Sequence, residues 1–198
     1  MKAHPGAAWG GVAGPAAFLS AWVVGSARTK GYSVVDDAIS QLAAIGASTR
    51  PLMTAGFIGF GIGVPLYAAA LRSALPGPAW TTALVTGVAA VGLAAAPLNE
   101  SSAVDALHNA AAGIGYVTLA ATPLLAARPL AALGYRRAAA ASVAVAAASG
   151  LCLAGTLAGP AHGLLQRLGL TIGDAWLVAT SVWILSGRTR RVAAPTGG

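Results

Sequence analysis

Five carboxylates and three histidines make up nearly all the acid–base chemistry available to this chain of 198 residues. The acids are Asp36, Asp37, Glu100, Asp105 and Asp174, and the histidines are His4, His108 and His162. Asp105 and His108 stand three apart, which puts both on one face of a helix. With Glu100 just ahead of them they form a carboxylate–imidazole group suited to proton transfer or to holding a ring tautomer. Asp174 lies alone in an apolar run that ends near Ser186. At 1.5 Å per residue it is roughly 18 Å from that end, inside a hydrocarbon layer ~30 Å thick. A carboxylate at such depth costs at least ~2.5–3.5 kcal/mol and as a rule faces a bundle interior or a cavity. Asp174 is therefore a candidate acid, base or ligand anchor, the alternative being a structural pair with Arg167. The expected catalytic set is Asp174, Glu100, Asp105 and His108, converging on one cavity. Asp36, Asp37 and Ser40, with His162, Gln166 and Arg167 ahead of the last run, are expected to bind substrate. The planar fork of Arg167 suits a phosphate or carboxylate head group. No His-x-x-x-His or Glu-x-x-His pair exists and Cys152 is the only cysteine, so neither a metal, a cofactor nor a disulfide is expected.

The elements that position these residues follow from composition. The chain is 57% hydrophobic and 9% charged, with a mean hydropathy of +0.73. Soluble domains carry about 25% charged residues, so a water-soluble globule is excluded, and disorder with it. A spanning helix needs about 20 mostly apolar residues. Six runs qualify: 8–26, 51–71, 80–99, 107–127, 138–158 and 168–186. These predict an all-α, polytopic membrane protein with six transmembrane helices in one domain over 1–198. Basic residues are unevenly shared between the alternate ends. Lys2, Arg72, Arg128, Arg136, Arg137, Arg188, Arg190 and Arg191 fall on one side, against Arg28, Lys30, Arg50 and Arg167 on the other. The positive-inside rule then puts both termini in the cytoplasm, with a short basic tail at 188–198, in the cell membrane. The basic residues form no continuous face, and no nucleic-acid partner is expected. Between the first two runs the pattern Val35, Ile39, Leu42 predicts a short amphipathic helix over 34–45, lying on the outer surface. Gly113, Gly115 and the Gly59–Gly63 series predict close helix contacts.

The segments Gly31-Tyr-Ser-Val-Val-Asp-Asp-Ala-Ile-Ser-Gln-Leu42, Leu107-His-Asn109 and Gly163-Leu-Leu-Gln-Arg-Leu168, with the six-run layout, resemble the bacterial membrane family called domain of unknown function 998. The resemblance covers roughly residues 8–187. It implies a six-helix membrane fold and no established activity. Where such proteins commonly carry an acidic residue before the leucine, this chain has Gln41. Three function classes fit the residues. The first is a pocket for an amphipathic lipid or isoprenoid, with acid–base chemistry such as proton-initiated isoprenoid (terpene) cyclisation in its catalytic form. The others are a small proton-linked transporter and a noncatalytic lipid-binding scaffold. The lipid or isoprenoid pocket is the reading we carry forward.

Overall fold

Six α-helices occupy the six apolar runs: α1 (Gly10–Arg28), α2 (Arg50–Ala74), α3 (Ala79–Ala95), α4 (Ser102–Ala132), α5 (Arg136–Gly155) and α6 (His162–Leu185). The computed structural model describes residues 5–157 and 159–187, and no strand occurs among them. Lys2, Ala158 and the expected basic tail at 188–198 lie outside the described residues. Five helices are long and apolar enough to cross a membrane, and α3 is a shorter apolar helix of 17 residues. The protein is an all-α, multi-pass membrane protein. Each helix packs against its successor, and α6 returns to α1 while also touching α2 and α4.

Proline and capping chemistry set the helix ends. α3 stops at Ala95 rather than at 99 because Pro97 lacks an N–H and forces the residue before it out of the helical region. Ala96 accordingly has φ −118° and ψ 76°. α4 begins five residues before the apolar run, capped by Ser101, whose Oγ accepts from the Val104 N–H at 3.3 Å. α6 begins at His162, six residues before its run.

Where the helices meet, small residues and hydroxyls carry the contact, as expected when lipid removes the hydrophobic drive between helices. A Cβ on Gly63 would stand 2.6 Å from the Gly10 carbonyl oxygen and 2.8 Å from the Gly14 Cα, so α1 and α2 touch backbone to backbone. Thr86 and Thr118 share a hydrogen bond of 2.8 Å, and the Thr122 hydroxyl donates to Thr82 at 2.9 Å, joining α3 to α4. The Trp176 indole donates to Ser142 Oγ at 2.8 Å, joining α6 to α5. The close contact expected at Gly113 is absent, and at Gly115 it is only an ordinary one. A Cβ on Gly113 meets open space, and one on Gly115 finds its nearest neighbour, the Ala89 Cβ, at an ordinary 3.6 Å. The N-terminal half of α4 is not tightly pressed against a neighbour along this line: Gly113 lines a groove and Gly115 a small cavity.

Candidate functional site

The first long connection, between α1 and α2, is a folded cap rather than a surface helix. It runs through turns and one 3-10 turn, Ile39–Ala43. Ile39 and Leu42 are buried while Val35, on the same expected stripe, is exposed. The cause lies 130 residues away, at the start of α6. Arg167 NH1 donates to the carbonyls of Val34 at 2.9 Å, Asp37 at 2.9 Å and Gly163 at 2.8 Å. Its NH2 donates to the Tyr32 hydroxyl, which in turn donates to the Ala38 carbonyl at 2.9 Å. The guanidinium also lies 5.4 Å from the ring centres of both Trp22 and Tyr32, within cation–π range. Two further ties run from α6: the Leu164 N–H donates to the Val35 carbonyl at 2.9 Å, and Gln166 Oε1 accepts from the Ile39 N–H at 2.8 Å. A Cβ on Gly163 would collide with the Asp37 carbonyl oxygen, so only glycine lets α6 approach this closely. Within the cap, Asp36 and Asp37 shape the turn: Ser33 Oγ donates to Asp36 at 2.9 Å and the Ser33 N–H to Asp37 at 2.7 Å. Burial pushes the Tyr32 hydroxyl above the usual tyrosine range, against the opposing pull of the adjacent Arg167 charge.

The α3–α4 connection sits beside this cap and is tied to it by the Ile45 N–H, which donates to the Leu98 carbonyl at 2.9 Å. Asn99 adopts a left-handed conformation, φ 65°, and the Asp105 carboxylate accepts its N–H at 2.8 Å. The early end of α3 strips the Ala96 carbonyl of a helical partner, and His108 Nδ1 takes it at 2.7 Å. A carbonyl only accepts, so Nδ1 is the protonated nitrogen in that contact. His108 is 1% exposed and its Nε2 has no partner.

Between these two connections and down the α4–α5 face runs a groove of about 1190 Å³. Its polar end is formed by Asn99, Asp105, His108, Asn109, His162 and Gln166, with Ser40 and Gln41 from the cap. From Val117 on α4 and Leu153 on α5 toward Leu124 and Val143 its walls are apolar. Several of those wall residues, Val117 at 69% exposure among them, are open to the surroundings, so the groove opens sideways along the bundle.

Asp174 belongs to a second space. It lines a cavity of about 50 Å³ walled by Phe18, Phe57, Phe60, Leu119 and Leu170 among others. Asp174 is 8% exposed, and its Oδ1 is buried with no partner. Ser40, Ala112, Tyr116 and Gln166 line both spaces. Gln166 Nε2 donates to the Tyr116 hydroxyl, and this bonded pair forms part of the wall between them.

With the geometry in place, a comparison of sequences decides the family. The profile of the family described as "Protein of unknown function (DUF998)" matches residues 12–183. The chain belongs to that family. No curated protein and no solved structure matches the chain. In this DUF998 member the segments Gly31–Leu42 and Gly163–Leu168 are the two halves of the Arg167 clamp, and His108 from the third segment closes the end of α3.

The residues expected to form one site are thus divided. Asp105, His108, Ser40, His162 and Gln166 share the groove, while Asp174 lies in the adjoining cavity with Ser40 and Gln166. Glu100 and Asp36 are exposed and line neither space, and Asp37 stays in the cap. Arg167 spends NH1 and NH2 on the cap and on the Gly163 carbonyl of its own helix, and pairs with no carboxylate among the described residues. No group of three metal-ligating side chains occurs among the described residues. Tyr116, the partner of Gln166, escaped the sequence reading. Its only signal was a single tyrosine in the apolar stretch of α4.

Proposed function

We propose that this protein holds an amphipathic lipid or isoprenoid in the α4–α5 groove, its tail along the apolar walls and its polar end among Asp105, His108 and His162. One observation carries the reading: a groove of about 1190 Å³ whose polar groups gather at one end and whose remaining walls are apolar and exposed. Along α4 it runs from Asp105 to Leu124, about 28 Å at 1.5 Å per residue. That is close to the thickness of a bilayer's hydrocarbon core, ~30 Å.

The catalytic form of this reading, with Asp174 as proton donor to an alkene or epoxide, needs a route from the groove to the inner cavity. The wall shared by Ser40, Ala112, Tyr116 and Gln166 is where such a route would pass. The inner cavity, about 50 Å³, has room for water and not for an isoprenoid chain. Lipid retention is therefore the primary claim and catalysis the secondary one. Native mass spectrometry of the full chain released from membranes tests the first. The expected result is a lipid adduct that survives mild activation and is weakened in Val117→Trp, which obstructs the apolar part of the groove. A bare protein, or an adduct that the substitution does not change, refutes it.

A further inference from the structure

We infer that the groove takes a lipid whose head group is uncharged and bears a hydroxyl, rather than a phosphate or diphosphate; this rests on the lipid-binding reading above. The inference comes from what the polar end of the groove offers and what it lacks. No Lys or Arg is among its lining residues. Phosphate recognition uses guanidinium or ammonium groups, or several free N–H donors at a helix start. The one nearby guanidinium, Arg167, lines neither space; it gives NH1 to three carbonyls and NH2 to Tyr32, and its unpartnered Nε is buried. Each of the two helix starts at this end has one N–H already taken. Ser101 caps α4 with the Asp105 carboxylate one turn behind it, and at α6 the Leu164 N–H is taken by Val35.

What remains at the polar end is the Asp105 carboxylate, the His108 and His162 imidazoles, the Ser40 hydroxyl and neutral amides. Asp105 lines the groove and places a negative charge there, which repels an anion and attracts a donor. Only Oδ1 of that carboxylate is committed, to the Asn99 N–H. His108 also lines the groove. Because its Nδ1 donates to the Ala96 carbonyl, the neutral ring carries its lone pair on Nε2, the atom left without a partner. Nε2 is a buried acceptor with nothing to accept, which is costly, and a ligand hydroxyl that enters behind the groove surface supplies the missing donor. The same hydroxyl oxygen accepts from an amide such as Asn109, also on the lining. A phosphate has no proton to give at neutral pH beyond its own weak second ionisation, and it would face the Asp105 charge with no Lys or Arg on the lining.

The test compares two ligands with one tail. The full chain in phosphatidylcholine nanodiscs is titrated with tritiated geranylgeraniol and with geranylgeranyl diphosphate, read by scintillation proximity. The alcohol is expected to bind at least about tenfold more tightly. Gly113→Trp places a side chain where a Cβ meets open space and should cut alcohol affinity by a similar factor. Val117→Trp, one turn along the same wall, is the second block. Asp105→Asn keeps an oxygen for the Asn99 N–H and removes the charge, and it should narrow the gap by improving diphosphate binding. Diphosphate binding equal to or tighter than the alcohol, and blocked by the Trp variants, overturns the head-group inference and leaves the groove reading standing. No binding of either ligand, or binding untouched by both Trp variants, overturns the groove reading and this inference with it. A gap that Asp105→Asn fails to narrow removes charge as its cause and overturns the inference.

Discussion

Replacing Arg167 by methionine should free the cap between α1 and α2 while leaving the helices folded. The guanidinium makes three hydrogen bonds into the cap: to the carbonyls of Val34 and Asp37, each at 2.9 Å, and to the Tyr32 hydroxyl. Leaving a buried polar group unpaired costs ~1–3 kcal/mol, so three such losses lie between about 3 and 9 kcal/mol. Relief of the buried charge's own desolvation offsets part of this, and water reaches the half-exposed Tyr32 once the cap loosens. A net cost of about 3 kcal/mol remains, which at ~1.4 kcal/mol per decade is roughly a hundredfold change in local opening. The ties from Leu164 and Gln166, and the burial of Ile39 and Leu42, are untouched and hold the cap near its place. Hydrogen–deuterium exchange by mass spectrometry reads this directly. The amides to follow are Asp37 and Gln41, bonded to the Ser33 and Ala38 carbonyls. They should exchange about a hundredfold faster in Arg167→Met, with α2 unchanged. Arg167→Lys should fall between, because a single ammonium cannot span the fork's two directions. Exchange within about twofold of the wild type in Arg167→Met would refute the clamp.

Three further expectations follow from contacts of other kinds. Gly63→Leu should lower the melting temperature in detergent, since a Cβ there stands 2.6 Å from the Gly10 carbonyl oxygen, whereas Gly113→Leu should not, having no neighbour within 4 Å; equal losses from the two would contradict this packing. Burial raises the ionisation of Tyr32 above its unfolded value of about 10. The cap should therefore keep its full stability below pH ~10 and lose it as pH rises through the folded value; exchange in the 32–42 peptide should show an alkaline step that disappears in Tyr32→Phe. The orientation set by basic residues predicts that, in a Cys152→Ser background, cysteines introduced at positions 33 and 103 react with an impermeant thiol reagent from outside and one at 132 does not; labelling of 132 alone reverses it.

Six helices are legible in the sequence because hydropathy in a bilayer is a strong local constraint: each run must satisfy its own backbone. Their ends are less so. α4 and α6 start in polar residues at Ser102 and His162, ahead of any apolar run, where capping by Ser101 and the contacts of the cap decide the boundary. The 34–45 segment shows the limit most clearly. Its apolar spacing reads as a helix, yet Arg167 takes the carbonyls of Val34 and Asp37 that helical bonds would need. A residue 130 positions away leaves no trace in a local pattern. The depth of Asp174 is likewise visible in the sequence, whereas its separation from Asp105 and His108 depends on Gln166 meeting Tyr116 across α6 and α4. Only tertiary structure creates that wall.

The most direct test of the account is where a bilayer lipid touches this protein. A phosphatidylcholine bilayer doped with photoreactive geranylgeraniol, irradiated with the full chain and digested, maps the adducts residue by residue. The account predicts enrichment on Val117, Leu124 and Val143, which line the groove, over Ile62 and Val88, which are exposed apolar residues on α2 and α3 outside it. Adducts spread evenly over all five positions would contradict it, because the groove would then be one more stretch of lipid-facing surface.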